Sequence, residues 1–156
     1  MDKENVLEQL RHDVYCRLMP SPIAGVGVFA IRKIPKGTRP FRGSFSGSWI
    51  PVAPDDLRKL KPGIQKYVKD MCALQDGKYY LPSCGIPRID ISFFLNHSTE
   101  PNMREVGEGD DFIALCDIKQ GDELTVDYST YNDLNQITRK ELALNDFESP
   151  KTRYKK

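Results

Sequence analysis

The chain has no C-x-x-C pair, only two histidines, a single tryptophan and almost no net charge, with 23 Lys and Arg against 22 Asp and Glu. Each shortage excludes something. The four cysteines, at positions 16, 72, 84 and 116, offer none of the close thiolate pairs of a structural zinc site, and two histidines cannot complete one, so no metal is expected. They read instead as reduced, mostly buried thiols of an intracellular protein. A formal charge of +1 gives no global field that would draw the chain onto nucleic acid or an anionic membrane, so a charged partner would need a local patch. The longest apolar runs, such as VGVFAI with Gly27 inside it, fall far short of the roughly 20 residues that span a bilayer. The opening MDKENVLEQLRHD is charged throughout and lacks the apolar core of a secretory signal.

What is present suits one domain. At 156 residues, 39% of them hydrophobic, the chain can bury a core without staples. Residues 2–12 predict a short helix capped by Asp2, with Val6, Leu7 and Leu10 on one face. GVGVFAIRKIPKGT reads as a strand and then a turn at Pro35-Lys36-Gly37, where proline presets φ and glycine supplies a positive one. Scattered glycine and aromatic residues from Thr38 to Ile50 suggest short, twisted strands. Residues 54–73 look partly helical, broken at Lys61-Pro62-Gly63 and resuming at Ile64, Tyr67, Val68 and Met71. KYYLP, RIDISFFL, DFIALCDI and ELTVDY read as strands, and EVGEGDD as a solvated hairpin turn. A polar helical segment over 133–146 and a basic tail, KTRYKK, close the chain. The expected organisation is an N-terminal extension over 1–14, a domain over 15–131 that is mainly β with small helical insertions, and a C-terminal helical segment with its tail over 132–156.

Three short stretches carry the chemistry. Gly25-Val26-Gly27 by itself marks a tight turn or a close backbone approach to a ligand. It lacks the third glycine and following helix of a dinucleotide fingerprint. FFLNHSTEPNM, residues 93–103, runs three apolar side chains into Asn96-His97-Ser98. Such a triplet either caps neighbouring strands or meets a ligand. DELTVDY, residues 122–128, ends in an Asp-Tyr pair after a Gly-acidic turn.

Taken in order, AGVGVFAIRKIPKG, FFLNHSTEPN and ALCDIKQGDELTVDY resemble the SET-domain family of protein lysine methyltransferases. The resemblance implies a SET-type β-fold whose carboxy-terminal segment is threaded, pseudo-knotted, through a loop made earlier in the chain. It implies S-adenosyl-L-methionine as cofactor and transfer of a methyl group to the ε-amine of a lysine in a protein or peptide, a histone or another protein. Ala24, Gly25, Val26 and Gly27 would supply backbone contacts to the methionine portion, and Asn96 and His97 would hold the cofactor, His97 through its main chain at the adenine. Tyr128 would be the catalytic residue, its hydroxyl where the methyl crosses from sulfur to nitrogen. Tyr80 either lines the cofactor or lysine channel or simply packs. Glu123 and Asp127 would satisfy backbone donors where the segments cross.

Several positions depart from the family pattern. Val126 stands where many relatives carry Phe or Tyr, and Phe93 where an arginine is common. Phe41-Arg42-Gly43 stands where a Glu-Tyr pair often precedes the glycine. Flanking cysteine-rich zinc segments are absent, so a cofactor lid would come from Tyr131, Phe147 or the helix between them. These departures leave a second reading open, a catalytically inactive SET-like module that binds a peptide or protein. No direct nucleic-acid or membrane partner is implied.

Overall fold

The structure, a computed structural model, describes residues 2–41, 48–107, 111–130 and 132. The expected helix over 133–146, the basic tail, the lid candidates Tyr131 and Phe147, and Arg42-Gly43 lie outside the described residues. The Asp2 carboxylate accepts the Asn5 N–H at 2.9 Å and starts helix α1, Lys3–His12. This helix buries no residue of its own. It is tied down at its far end, where the Arg32 guanidinium donates to the last carbonyls, those of Arg11 and His12, and lies 4.0 Å over the Tyr15 ring.

Among the described residues the strands run in chain order as β1 Cys16–Pro20, β2 Val26–Ala30, β3 Trp49–Val52, β4 Leu74–Gln75, β5 Lys78–Pro82, β6 Asn96–His97, β7 Met103–Val106, β8 Asp111–Ala114 and β9 Glu123–Val126. Two further helices, α2 Pro54–Leu57 and α3 Pro62–Met71, lie between β3 and β4. The break expected at Lys61-Pro62-Gly63 is the start of α3, because Pro62 occupies the first turn, where its missing N–H would have no partner anyway. The turn at Pro35-Lys36-Gly37 closes with Thr38 N–H on Pro35 C=O, with Gly37 at φ +83°.

The strands form three sheets, β1-β2-β9-β6, β3-β5-β4 and the hairpin β7-β8. In the first, the last strand lies in the middle. β9 runs antiparallel to β2, with Phe29 opposite Glu123, and parallel to β6, with Asn96 opposite Thr125. Val28, Ile34, Met103, Ile118, Leu124 and Val126 are fully buried around this sheet. Phe41 packs edge-on against Phe112, centroids 6.1 Å apart. A separate cluster of Leu57, Val68, Cys72 and Tyr79 supports the second sheet. The architecture is mainly β with few, small helices, the SET-type fold class. No described helix is long and apolar enough to cross a membrane.

Two expectations need correction. RIDISFFL is not a strand; the region makes two 3₁₀ turns, Ile86–Arg88 and Ile91–Phe94. Pro87 has no N–H for a ladder, and the Asp90 carboxylate caps the Ser92 N–H at 2.7 Å, starting a helical turn that β propensity cannot anticipate. Of the cysteines only Cys72 is buried; Cys16 and Cys84 are half-buried and Cys116 is exposed.

Candidate active site

Strand β9 is held on both sides by unlike partners. Beyond its pairing to β2, the Asn102 side-chain amide imitates a strand: its Nδ2 donates to Glu123 C=O at 2.8 Å and its Oδ1 accepts Thr125 N–H at 2.9 Å. This answers two backbone groups that would otherwise be buried without partners. Asn102 is the last residue of the N-H-S-x-x-P-N stretch, and sequence reasoning quoted it without giving it a role.

A polar cluster joins the glycine loop to β6 and β9. Ser21 Oγ lies 2.8 and 2.9 Å from the two Glu123 carboxylate oxygens and accepts the N–H of Ile23 at 2.9 Å. Asn96, 5% exposed, turns its Nδ2 inward. That nitrogen lies 2.7 Å from Glu123 Oε1, 3.0 Å from Ser21 Oγ, 3.1 Å from Ala24 C=O and 3.4 Å from Val26 C=O. A carboxylate and two carbonyls can only accept, so the amide orientation is fixed by its surroundings. The Asn96 Oδ1 receives no hydrogen bond from the described residues. Glu123 therefore takes side-chain donors rather than the backbone donors expected of it. Ser21 was missed altogether, although a serine before Pro22 that can fold its hydroxyl back on the next backbone N–H groups was a readable signal.

The third group surrounds Tyr128, which opens a 3₁₀ turn, Tyr128–Thr130. The turn is shaped by Asp127, whose carboxylate accepts both the Ser129 hydroxyl at 2.7 Å and the Ser129 N–H at 2.9 Å. These two bonds hold the Asp127 carboxyl below its ordinary range. The Tyr128 N–H donates to His97 Nδ1 at 3.1 Å, which requires the neutral imidazole with its proton on Nε2. With no proton on Nδ1, the Asp127 carboxylate 3.8 Å away makes no hydrogen bond there. The rings of His97 and Tyr128 stack obliquely, centroids 5.3 Å apart. At its other end Tyr128 donates its hydroxyl to Leu95 C=O at 2.6 Å. Burial, and then the negative charge of Glu123, push the phenol's ionisation well above its ordinary value. The group is a neutral O–H and not a base at physiological pH.

The polar triplet Asn96-His97-Ser98 finds partners within the fold, with Asn96 buried and His97 and Ser98 half-buried. Asn96 locks the glycine loop to Glu123, His97 receives the Tyr128 N–H, and Ser98 N–H bonds Val126 C=O at 2.9 Å. Ala24, Val26, Gly27, Asn96, His97 and Tyr128 fall into one connected assembly, with Gly25 in its loop at φ +47°. Tyr80 stands on a different sheet. It lies on β5, opposite Pro51 of β3, in the second sheet. Phe93 packs against Trp49 with ring centroids 5.9 Å apart, and Val126 is fully buried. Among the described residues no group of three His, Cys, Asp or Glu is placed to hold a metal ion.

Residues 25–129 match the model of the family described as SET domain. No curated protein matches the chain. A solved Plasmodium falciparum structure, described as that of a candidate histone methyltransferase, is 17% identical, with 74% of this chain and 93% of that chain covered and a TM-score of 0.46.

Proposed function

The chain belongs to the SET-domain family, and from that premise we propose that it transfers a methyl group from S-adenosylmethionine to the ε-amine of a lysine in a protein or peptide. The observation that carries the reading is the Tyr128 hydroxyl, fixed at 2.6 Å on Leu95 C=O, in the same bonded assembly as Asn96, His97 and the Gly25 loop. The residues fit the cofactor in one testable respect. Asn96 is almost wholly buried, its amide nitrogen is committed to protein acceptors, and its Oδ1 meets no described donor. That oxygen is not among the sealed, unpartnered atoms, so it stays open to an incoming donor, and the amino group of a methionine moiety is one that suits it. The backbone of Ala24 to Gly27 would border the same moiety.

When bound, the cofactor supplies an electrophilic methyl on a positively charged sulfur. The chain's own residues supply alignment and dryness. Tyr128, held as a neutral donor, leaves its oxygen lone pairs and the Leu95 carbonyl oxygen side by side. Two such oxygens can take weak C–H···O contacts worth ~0.5–1 kcal/mol each. Tyr128 cannot remove the substrate's proton. The lysine must arrive neutral, which costs about 3 kcal/mol near pH 8 for an amine of reference pKa about 10.4. An apolar approach and the sulfonium charge both lower that cost. The remaining gain is near-attack geometry.

The proposal extends to a substrate peptide laid against an open strand edge, a histone being one candidate, to a threaded passage of the segment around β9, to a domain spanning residues 15–131 and to an intracellular setting. A binding module without transfer is the alternative, and Phe93 favours it, since it puts an aromatic contact with Trp49 where relatives use an arginine. The deciding experiment incubates the protein with labelled S-adenosylmethionine and mixed histones or lysate proteins, beside Tyr128→Phe. Label on lysine from the parent protein alone supports the enzyme. Cofactor binding by calorimetry with no labelled product supports the module.

A further inference from the structure

Asn132 stands just past the Tyr128 turn and is 7% exposed. Its backbone N–H donates to Tyr128 C=O at 3.0 Å, and its Nδ2 reaches the same oxygen at 3.3 Å. Its Oδ1 accepts the N–H of Leu74, on β4, at 3.1 Å. One buried side chain therefore joins two units that belong to different sheets and different apolar clusters. On one side is the turn carrying the phenol. On the other is the β3-β5-β4 sheet, where Leu74 packs on the cluster of Leu57, Val68, Cys72 and Tyr79.

Tyr128 is thus gripped at three points. Its hydroxyl is on Leu95 C=O, its N–H on His97 and its C=O on Asn132. The first two grips come from Leu95 and from His97 of β6, and the third connects to the inserted sheet. We propose that Asn132 is a positioning residue for the transfer step, coupling the inserted β3-β5-β4 sheet to the aim of the Tyr128 phenol. The inference rests on the methyltransferase reading above. Its physical basis is that a polar group buried between two units is held by both, so displacing either one strains its bonds to the other. The backbone bond from residue 132 survives any side-chain change, so the coupling lies in Oδ1 and Nδ2.

The test uses the full chain with Asn132→Ala, which removes both side-chain groups, and Asn132→Asp, which keeps the acceptor for Leu74. Amide hydrogen exchange is read at Leu74 and Tyr128, and labelled transfer to mixed histones is read as kcat and as KM for S-adenosylmethionine. In Asn132→Ala, exchange should accelerate at both amides, and kcat should fall about 10-fold with KM changed less than about twofold, as expected of lost alignment rather than lost binding. Asn132→Asp should restore protection at Leu74 but leave Tyr128 exchange fast and kcat low, because its carboxylate keeps the acceptor for Leu74 and sets an oxygen that cannot donate against Tyr128 C=O. Faster exchange at Leu74 alone, with Tyr128 and kcat untouched, would reduce Asn132 to a fastener for β4 and overturn the proposal. If Asn132→Ala does not fold, Asn132→Asp decides: faster exchange at Tyr128 with lowered kcat while Leu74 stays protected supports the coupling, and Tyr128 exchange and kcat at the parent values overturn it. A parent protein that transfers no methyl group defeats the enzymatic reading, while the exchange data still decide the coupling.

Discussion

A β-carbon on Gly27 would lie 2.1 Å from Glu123 Oε1 and 3.1 Å from Asn96 Nδ2. The second glycine of the motif is therefore there to let the Glu123 carboxylate lie against β2. The first, Gly25, answers a different need. It adopts φ +47°, and a β-carbon there would meet nothing within 4 Å.

The two glycines should fail differently. Gly27→Ala must displace Glu123 and Asn96 together and should cost about 1–3 kcal/mol by overpacking. Gly25→Ala carries only the backbone strain of a left-handed conformation, about 1 kcal/mol. Urea denaturation of both variants checks this, and cofactor affinity should drop more for Gly27→Ala. Equal losses in stability and affinity would contradict the assigned difference.

Tyr128→Phe removes the donor on Leu95 C=O and leaves that carbonyl without it, a loss of about 1 kcal/mol in stability. Methyl transfer should fall by about 100-fold or more, the scale of deleting one oriented group at a reacting centre. Cofactor affinity should move by only a few-fold. A variant that transfers at the parent rate would remove Tyr128 from the chemistry.

The Asp127 carboxyl is held low by the Ser129 hydroxyl and N–H. A depressed carboxyl contributes stability above its unfolded pKa, about 3.9, and that contribution disappears as pH falls through the lower folded value. Asp127→Asn should be less stable than the parent near neutrality, by under about 1 kcal/mol because the side chain is a third exposed. The gap should close as the medium is acidified below about pH 4. Thermal melts from neutral pH to pH 3 measure it, and a constant gap would show that the charge is not involved.

Burial pushes the Cys16 thiol up to about 12, against a smaller opposite pull from Arg32. At pH 8 that leaves about one thiolate in ten thousand, and the thiolate is the reactive form. A disulfide reagent should therefore modify exposed Cys116 first, and Cys16 only after denaturant is added. Mass-spectrometric mapping of early products reads the order, and early labelling at Cys16 would contradict its burial.

Much of the local structure was legible because it depends on neighbours in sequence. Asp2 caps its helix through an N–H three residues on, Pro35-Lys36-Gly37 turns the chain, and alternation in ELTV marks a strand. The failure at RIDISFFL is also local, since Pro87 and the Asp90 cap outweigh the β-branched and aromatic content around them. The candidate site was legible only as a set of motifs in order. Tyr80 shows the limit: an aromatic position in a strand does not say which sheet that strand joins.

By itself the sequence determined that the chain is mainly β and that its three motifs occur in the order of the SET-domain family. Only the tertiary structure decided that Ser21, Asn96 and Glu123 share hydrogen bonds, that the Asn102 amide stands in for a strand beside β9, and that Asn132 joins Tyr128 to Leu74. The reason is physical. Local periodicity reports which face of a segment is apolar, whereas a hydrogen bond between residues 75 or 102 positions apart exists only once the sheets have closed and a polar group has been left with no water to turn to.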